Sequence, residues 1–274
     1  MRSSGAHASR IRKLVFQIVT GAARREELYD RLYALNWGET TTNNYGFAPA
    51  DGHQPERFQL QLYTELLRLF ETTRDLRRVS SLLEISCGRG GGLAHVAHRL
   101  PRESNVVGLD FSAHAIAFCK ERYEAVSNLS FVRGNALHLP FTDASFDVVI
   151  NVEASHAYGN DTAFLREVSR VLRSDGCFLY ADYRTRKKVR RLEQSISAAG
   201  LSGDLHDITD NVVVACDLDA ERRRQIIRGG LRWYHRPLLT GSLEGYSGLP
   251  GTPNCERFRS GDRVYFLACM RHRE

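Results

Sequence analysis

No apolar run in this chain approaches the roughly 18–20 residues that a membrane-spanning helix needs, so no such span is expected. The basic stretch Met1–Lys13 is not followed by the uninterrupted apolar core of a signal peptide, and export is not expected. The six cysteines, at 87, 119, 177, 216, 255 and 269, include no Cys-x-x-Cys pair. That removes support for a zinc ribbon or a redox dithiol and fits a reduced, cytoplasmic protein. His95 and His98 lack a matching acid, so no metal site is expected there. The formal charge of +6 is spread along the chain, with local clusters only at Arg184–Arg191 and Arg222–Arg224. Both lie in charge-rich stretches that read as solvated helix faces, and no RNP-type stacking motif accompanies them. A nucleic-acid partner is therefore not expected. Internal repeats and low-complexity tracts are also missing, and 42% hydrophobic with 26% charged residues is the balance of a globular domain.

What is present centres on Leu82–Gly92. Leu82, Leu83 and Ile85 read as a buried strand, and four glycines at 88, 90, 91 and 92 follow. Leu93–Leu100 then takes up a helical pattern. A strand, glycine turn and helix let a ligand reach backbone N–H groups at a helix N-terminus. Eighteen residues past Gly92, the apolar run Val106–Leu109 ends in Asp110, where such folds grip ribose hydroxyls. The dinucleotide fingerprint would need a third glycine where Leu93 stands. No Lys followed by Ser or Thr comes after the glycines, which excludes a P-loop.

Glu84-x-x-x-Gly88-x-Gly90 with Asp110 downstream resembles the first two motifs of class I S-adenosylmethionine (SAM) methyltransferases. Later stretches continue the resemblance in order. Arg133-Gly134-Asn135-Ala136 stands where the family commonly has Gly-Asp-Ala. Leu139-Pro140-Phe141, the strand Ser145–Ile150, and the helix–turn–strand from Asp161 to Asp182 follow. Over about residues 36–182 the chain looks most like the phthiotriol and phenolphthiotriol dimycocerosate methyltransferases, within a wider group acting on fatty acids, polyketides and terpenoids.

The resemblance implies an α/β, Rossmann-like fold: a seven-stranded, mostly parallel sheet whose last strand, Arg263–Met270, is antiparallel. Residues 1–50 would form an N-terminal helical arm and a cofactor-covering loop, and 51–274 the SAM-binding domain, with a lid at about 229–258. Cofactor contacts are expected from Tyr45, Gln59, Glu84, Ser86, Gly88, Gly90, Asp110, Phe111, Asn135, Ala136, Asn151 and Glu153. Asp110 would hold the ribose, and the Asn135 side-chain oxygen would accept from the adenine amino group. Tyr45-Gly46-Phe47 is similar to the element lying over the cofactor in relatives acting on lipids and sterols, and Gln59, Gln61 and Tyr63 should face the same end.

The expected activity is methylation of a small lipophilic metabolite, leaving S-adenosylhomocysteine. His156, following the fourth strand, is the candidate base, with Glu153 orienting it. Tyr29, Tyr33, Tyr158, Trp233 and Tyr234 are candidate acceptor contacts. O-methylation is the favoured reading; C-methylation of an olefin comes second, since aromatic faces can stabilise a carbocation, and non-catalytic SAM binding is third. Ser9–Thr20 and Ala22–Leu35 read as amphipathic helices suited to a homo-oligomer with an exchanged arm. Asp207–Cys216 reads as strand by β-branching, whereas the resemblance implies a strand end followed by a helix capped by Asp210 and running to about Arg228.

Overall fold

The computed structural model describes Asp30, Tyr33, Ala34 and residues 37–230 and 236–273. The expected arm helices, Tyr29, Trp233 and Tyr234 lie outside the described residues. The first complete helix, α1 (Arg57–Glu71), buries Phe58, Leu62, Leu66, Leu67 and Phe70 on one face. Three- and four-residue spacing makes that face continuous. It packs against the glycine-loop helix and against the fifth and eighth strands.

Strand β1 (Ser81–Ile85) is buried along its whole length. It pairs in parallel with β2 (Asn105–Asp110) on one side and β4 (Phe146–Val152) on the other; β3 (Leu129–Arg133) lies outside β2. Side chains alternate between faces. Leu82, Val106 and Val148 join one core cluster, while Leu83, Val107 and Val149 join the other. Both faces are covered by helices, which is why these strands read as continuous apolar runs rather than alternating ones. Strand β5 (Leu172–Thr185) pairs in parallel with β4, and β8 (Arg263–His272) runs antiparallel to β5. The order is β3-β2-β1-β4-β5-β8-β6, where β6 is the short strand Leu201–Ser202. Chain order reverses between β1 and β4, and the crevice at their carboxyl ends is the ligand position of such sheets.

Several local expectations are corrected. The turn expected at Arg173–Gly176 is absorbed into β5 as an irregularity: Phe146 pairs with Leu172, but Val148 pairs with Cys177. The outer edge strand is split into two stubs, β6 (Leu201–Ser202) and β7 (His206–Asp207), both on β8, so the sheet counts eight strands among the described residues. Asp207–Cys216 is mostly helix. The N-cap position is Ile208, and Asp207 before it accepts through Oδ1 from the Thr209 backbone N–H at 2.9 Å and its hydroxyl at 2.6 Å; Asp210 lies within the first turn.

Helices α2 (Gly91–Ala97), α3 (Ala113–Arg122), α4 (Asp161–Val171) and α5 (Arg186–Ala198) flank the sheet. Ser112 caps α3 as expected, accepting from the Ala115 N–H at 3.1 Å. The helix expected to run to Arg228 breaks at Asp219 into α6 (Thr209–Leu218) and α7 (Ala220–Gly230). Helices α8 (Arg236–Tyr246) and α9 (Pro253–Arg259) occupy the stretch expected as a lid. Arg184 and Arg223, expected on solvated faces, are buried at 5% and 6% exposure. Each is held by carboxylates: Arg184 by Asp161 and Asp182, Arg223 by Asp219. Among the described residues no helix is long and apolar enough to cross a membrane.

Candidate active site

Beyond β1 the chain turns through Ser86, Gly88 and Gly90, with φ of 60°, 55° and 76°. Glycine is needed at 88 and 92 for different reasons. A Cβ on Gly88 would add to its left-handed strain and sit 2.7 Å from the Tyr33 hydroxyl; one on Gly92 would sit 1.9 Å from Tyr63 Cζ. Gly90 faces the other way, and a Cβ there would meet Tyr123, Cys119 and Phe131. It is a packing residue beneath the loop and does not line the cavity above it.

Asp110 ends β2 and accepts from the Gly88 and Ser112 backbone N–H groups, each at 2.9 Å. Burial raises its pKa, against the pull of those two donors. The carboxylate thus braces the glycine loop while lining a cavity of about 180 Å³. Ser86, Gly88, Phe111, Asn135, Ala136 and Glu153 line the same cavity, together with Tyr63 and Thr41–Asn44. The Asn135 side-chain oxygen already accepts from the Leu137 N–H at 2.9 Å, which leaves one lone pair and the amide N–H groups for a ligand.

Glu84 and Asn151 stand behind that wall rather than in it. Glu84 accepts from the Tyr63 hydroxyl at 2.7 Å, and burial pushes its pKa up to about 8, so its carboxyl is neutral at pH 7. Asn151 donates to the Ile85 carbonyl and to the Tyr158 hydroxyl, both at 2.9 Å. Tyr158 is also 2.6 Å from Ser86 Oγ. Its expected place on the acceptor side is therefore corrected: these bonds hold it against the first cavity.

A second cavity, of about 130 Å³, adjoins the first. The two share Tyr33, Thr42, Asn43, Asn44, Arg89, Glu153 and Tyr246. Ile226, Ile227 and Leu243 give the second an aliphatic wall, and His156 and Tyr183 open on it. Tyr45 and Gln59, expected at the cofactor, line this second cavity instead. Gln59 is drawn there by Asp219 and Arg222, each 2.9 Å away. Gln61 bonds Glu65 along its own helix at 2.6 Å and lines neither cavity.

Glu153 does not orient His156. It sits at φ 47°, beyond the end of β4, and accepts from the Tyr45 N–H at 2.6 Å. Burial pushes its pKa up to about 8. A strained, neutral acid in the shared wall thus pins the covering loop. Asp182, at the carboxyl end of β5, orients the histidine: its Oδ1 lies 2.8 Å from His156 Nδ1. Burial alone would raise the Asp182 pKa, but His156 and Arg184, with hydrogen bonds from His156 and Ser155, hold it well below the usual carboxylate range.

Arg223 closes the floor of the site. It donates to Asp219 at 3.0 Å, the Tyr45 carbonyl at 2.7 Å and the Ser247 carbonyl at 2.6 Å, tying α7 to the covering loop and the end of α8. Asp182, Tyr183, Asp219 and Arg223 were not named as site residues from sequence. Asp182 carried a usable signal, as a charged residue closing an apolar strand at the sheet's carboxyl end. So did Asp219-x-x-x-Arg223-x-x-x-Ile227, whose spacing puts all three on one helix face.

A methyltransferase-domain model matches residues 83–180. The chain is 35% identical to a protein of Mycobacterium ulcerans named probable phthiotriol/phenolphthiotriol dimycocerosates methyltransferase 2, over 82% of this chain and 83% of that one. The chain belongs to the class I SAM-dependent methyltransferases. The methyltransferase is also 36% identical to a fatty-acid O-methyltransferase of Mycolicibacterium smegmatis, over 71% of its length and 67% of the relative's. Among solved structures, the [4+2]-cyclase SpnF matches with a TM-score of 0.71, covering 90% of this chain and 94% of that one. At 18% identity that likeness is of fold alone.

SAM fits the first cavity. Gly88 and Gly92 line it, at positions where a Cβ would collide with Tyr33 and Tyr63 of the same lining, and Asp110 supplies a buried carboxylate at the end of the second strand. Asn135 and the half-exposed ring of Phe111 stand beside it, a polar edge and an apolar face of the kind an adenine takes.

Proposed function

We propose that the methyltransferase methylates an oxygen of a small lipophilic acceptor, leaving S-adenosylhomocysteine. The observation that carries this reading is the pair of adjoining cavities. A cradle suited to SAM shares a wall with an aliphatic cavity onto which the His156–Asp182 pair opens. The names of the two relatives, one acting on phthiotriol lipids and one on fatty acids, point to the same class of acceptor.

In this reading Asp110 takes the ribose hydroxyls, while Asn135, Ala136 and Phe111 take the adenine. Ser86, Gly88 and the residues around Glu153 border the methionine part. Bound SAM supplies an electrophilic methyl group. The chain's own work is positioning: Ile226, Ile227 and Leu243 hold the acceptor's apolar body, Tyr33 and Tyr246 stand at the joint between cavities, and the covering loop excludes water. A hydroxyl acceptor must also lose a proton, and the histidine–aspartate pair is the base at hand.

A second reading, C-methylation, draws on the rings of Trp37, Tyr45 and Tyr183 in the same cavity, whose faces can stabilise a cation. Incubation with methyl-labelled SAM against fatty acids, fatty alcohols, phenols and prenylated compounds separates the two. O-methylation produces an ether or ester, identified by mass fragmentation. A label found only on carbon overturns the oxygen assignment.

A further inference from the structure

The second cavity is too small for a whole long-chain acceptor. Its volume of about 130 Å³ is just under the roughly 150 Å³ at which an apolar cavity holds one benzene ring, so it houses about six carbons. A longer chain must leave it, and not through the first cavity, which is the cofactor's. We infer that the acceptor carries a long alkyl chain, and that its tail lies in a groove lined by Trp37, the start of α1 and the second half of α7. This deepens the lipophilic-acceptor reading and rests on it.

The groove adjoins the second cavity and stands apart from the first. Trp37, Thr40, Arg222 and Ile226 line both the cavity and the groove. Among the described residues, none that lines the groove borders the first cavity. The three spaces therefore follow in the order cofactor, acceptor head, acceptor tail, and a chain entering the groove runs away from the methyl donor. The groove's volume of about 600 Å³ leaves room for many more carbons than the cavity holds.

Its long wall follows from helix spacing. Arg222, Gln225, Ile226 and Gly229 recur at three- and four-residue intervals, which makes them one stripe along about 10 Å of α7. The stripe begins in the acceptor cavity, with Arg222 and Ile226, and ends beyond it at Gly229. A Cβ on Gly229 would meet nothing within 4 Å, so the space beside it is open. Pro55 and Leu60, at the start of α1, add apolar surface.

The charged side chains of the lining are already matched. Glu56 accepts from the Thr41 and Thr42 backbone N–H groups at 3.0 and 2.8 Å. Arg222 donates to Asp219 at 2.6 Å and to Gln59 at 2.9 Å, and exposed Glu39 pairs with Arg122 at 3.6 Å. An apolar tail lying over them strands no charge without a partner.

Hexanoic and dodecanoic acids, with the matching alcohols, share a head group and differ only in what reaches the groove. In wild type, kcat/KM should rise by at least about tenfold from the short chain to the long one, since each buried methylene favours binding. Gly229→Phe puts a ring into the open space and replaces a poor helix former with a better one. It should lower kcat/KM for the long acceptor by about tenfold or more, through KM, while the short acceptor and the SAM dissociation constant stay within about twofold. The retained short-chain rate reports an intact fold. Leu60→Gln keeps the helix propensity, makes the groove more polar and should act in the same direction. Equal kcat/KM for the two lengths in wild type overturns the tail site alone. So does a Gly229→Phe loss that is equal for both lengths, or a long acceptor that both variants turn over as wild type does. Wild type that methylates neither length, as acid or as alcohol, overturns the acceptor reading and the tail site with it.

Discussion

Gly92→Ala is the smallest change that tests how the glycine loop is built. An alanine Cβ would stand 1.9 Å from Tyr63 Cζ, 2.2 Å from Cε2 and 2.4 Å from the hydroxyl oxygen. Ordinary contact begins near 3.4 Å, so the ring must retreat by roughly 1.5 Å. Tyr63 is buried, and its hydroxyl donates to Glu84 at 2.7 Å. The retreat therefore overpacks the core beneath α1, at about 1–3 kcal/mol. It also breaks the bond to Glu84, whose other oxygen has no hydrogen-bond partner, at about 1–3 kcal/mol more. Alanine's better helix propensity returns only about 0.5–1 kcal/mol. The net loss should be about 3 kcal/mol, read from urea unfolding as a lower midpoint at unchanged slope. A double-mutant cycle isolates the cause. On a Tyr63→Ala background, where the ring is gone, the same change at Gly92 should be neutral or slightly stabilising. An equal cost in both backgrounds would refute the clash.

Asp110→Asn keeps a carbonyl for the Gly88 or Ser112 N–H but removes the charge; SAM affinity should fall by about 10–100-fold by calorimetry, with the fold intact. Burial pushes the Glu153 pKa from the ordinary 4.5 up to about 8. Between those values the folded form keeps a proton that the unfolded form has released. Its contribution is therefore full below pH 4.5 and lost as pH rises towards 8, at about 1.4 kcal/mol per unit. Glu84 adds a second slope of the same sign, so Glu153→Gln should remove one of the two; an unchanged pH dependence of the unfolding free energy would count against a neutral Glu153. Arg223→Met leaves Asp219 with Arg222 and Gln59 and removes the guanidinium donors to the Tyr45 and Ser247 carbonyls, which should cost about 3 kcal/mol in urea unfolding. A midpoint within error of wild type would make that buried ion pair dispensable.

The parts of the site legible in sequence are those whose chemistry is local. The glycines announce a tight approach because only they fit the left-handed turn at 88 or leave room for Tyr63 beside 92. Asp110 announces itself by closing an apolar strand. Most residues expected at the cofactor line one cavity, and the departures fall where a residue's neighbourhood is set by topology. Glu84 and Asn151 sit one layer behind the wall, because strand residues alternate and the cavity samples only the strand tips. Glu153 and His156 are close in sequence, which invites pairing them. Yet the left-handed backbone at Glu153 turns its carboxyl to the Tyr45 N–H, and the partner of His156 comes from the next strand, 26 residues on.

The misread arginines show the same limit from the other side. Arg184 and Arg223 each stand in a run of charge, and a run averages its members into one solvated face. In the folded chain Arg184 belongs to β5, not to the helix that follows, and its guanidinium meets Asp161 and Asp182 across the sheet's end. Arg223 shares a helix face with Asp219 and Ile227 and turns inward, while Arg224 pairs with Glu221 nearer the surface. Each buried guanidinium is matched by a carboxylate that also serves the site: Asp182 orients His156, and Asp219 holds Gln59. A buried cation of this kind is costly unless its partner is fixed. The ion pairs at α7 and at the β5 end therefore also hold residues on the polar edge of the second cavity, Gln59 and His156.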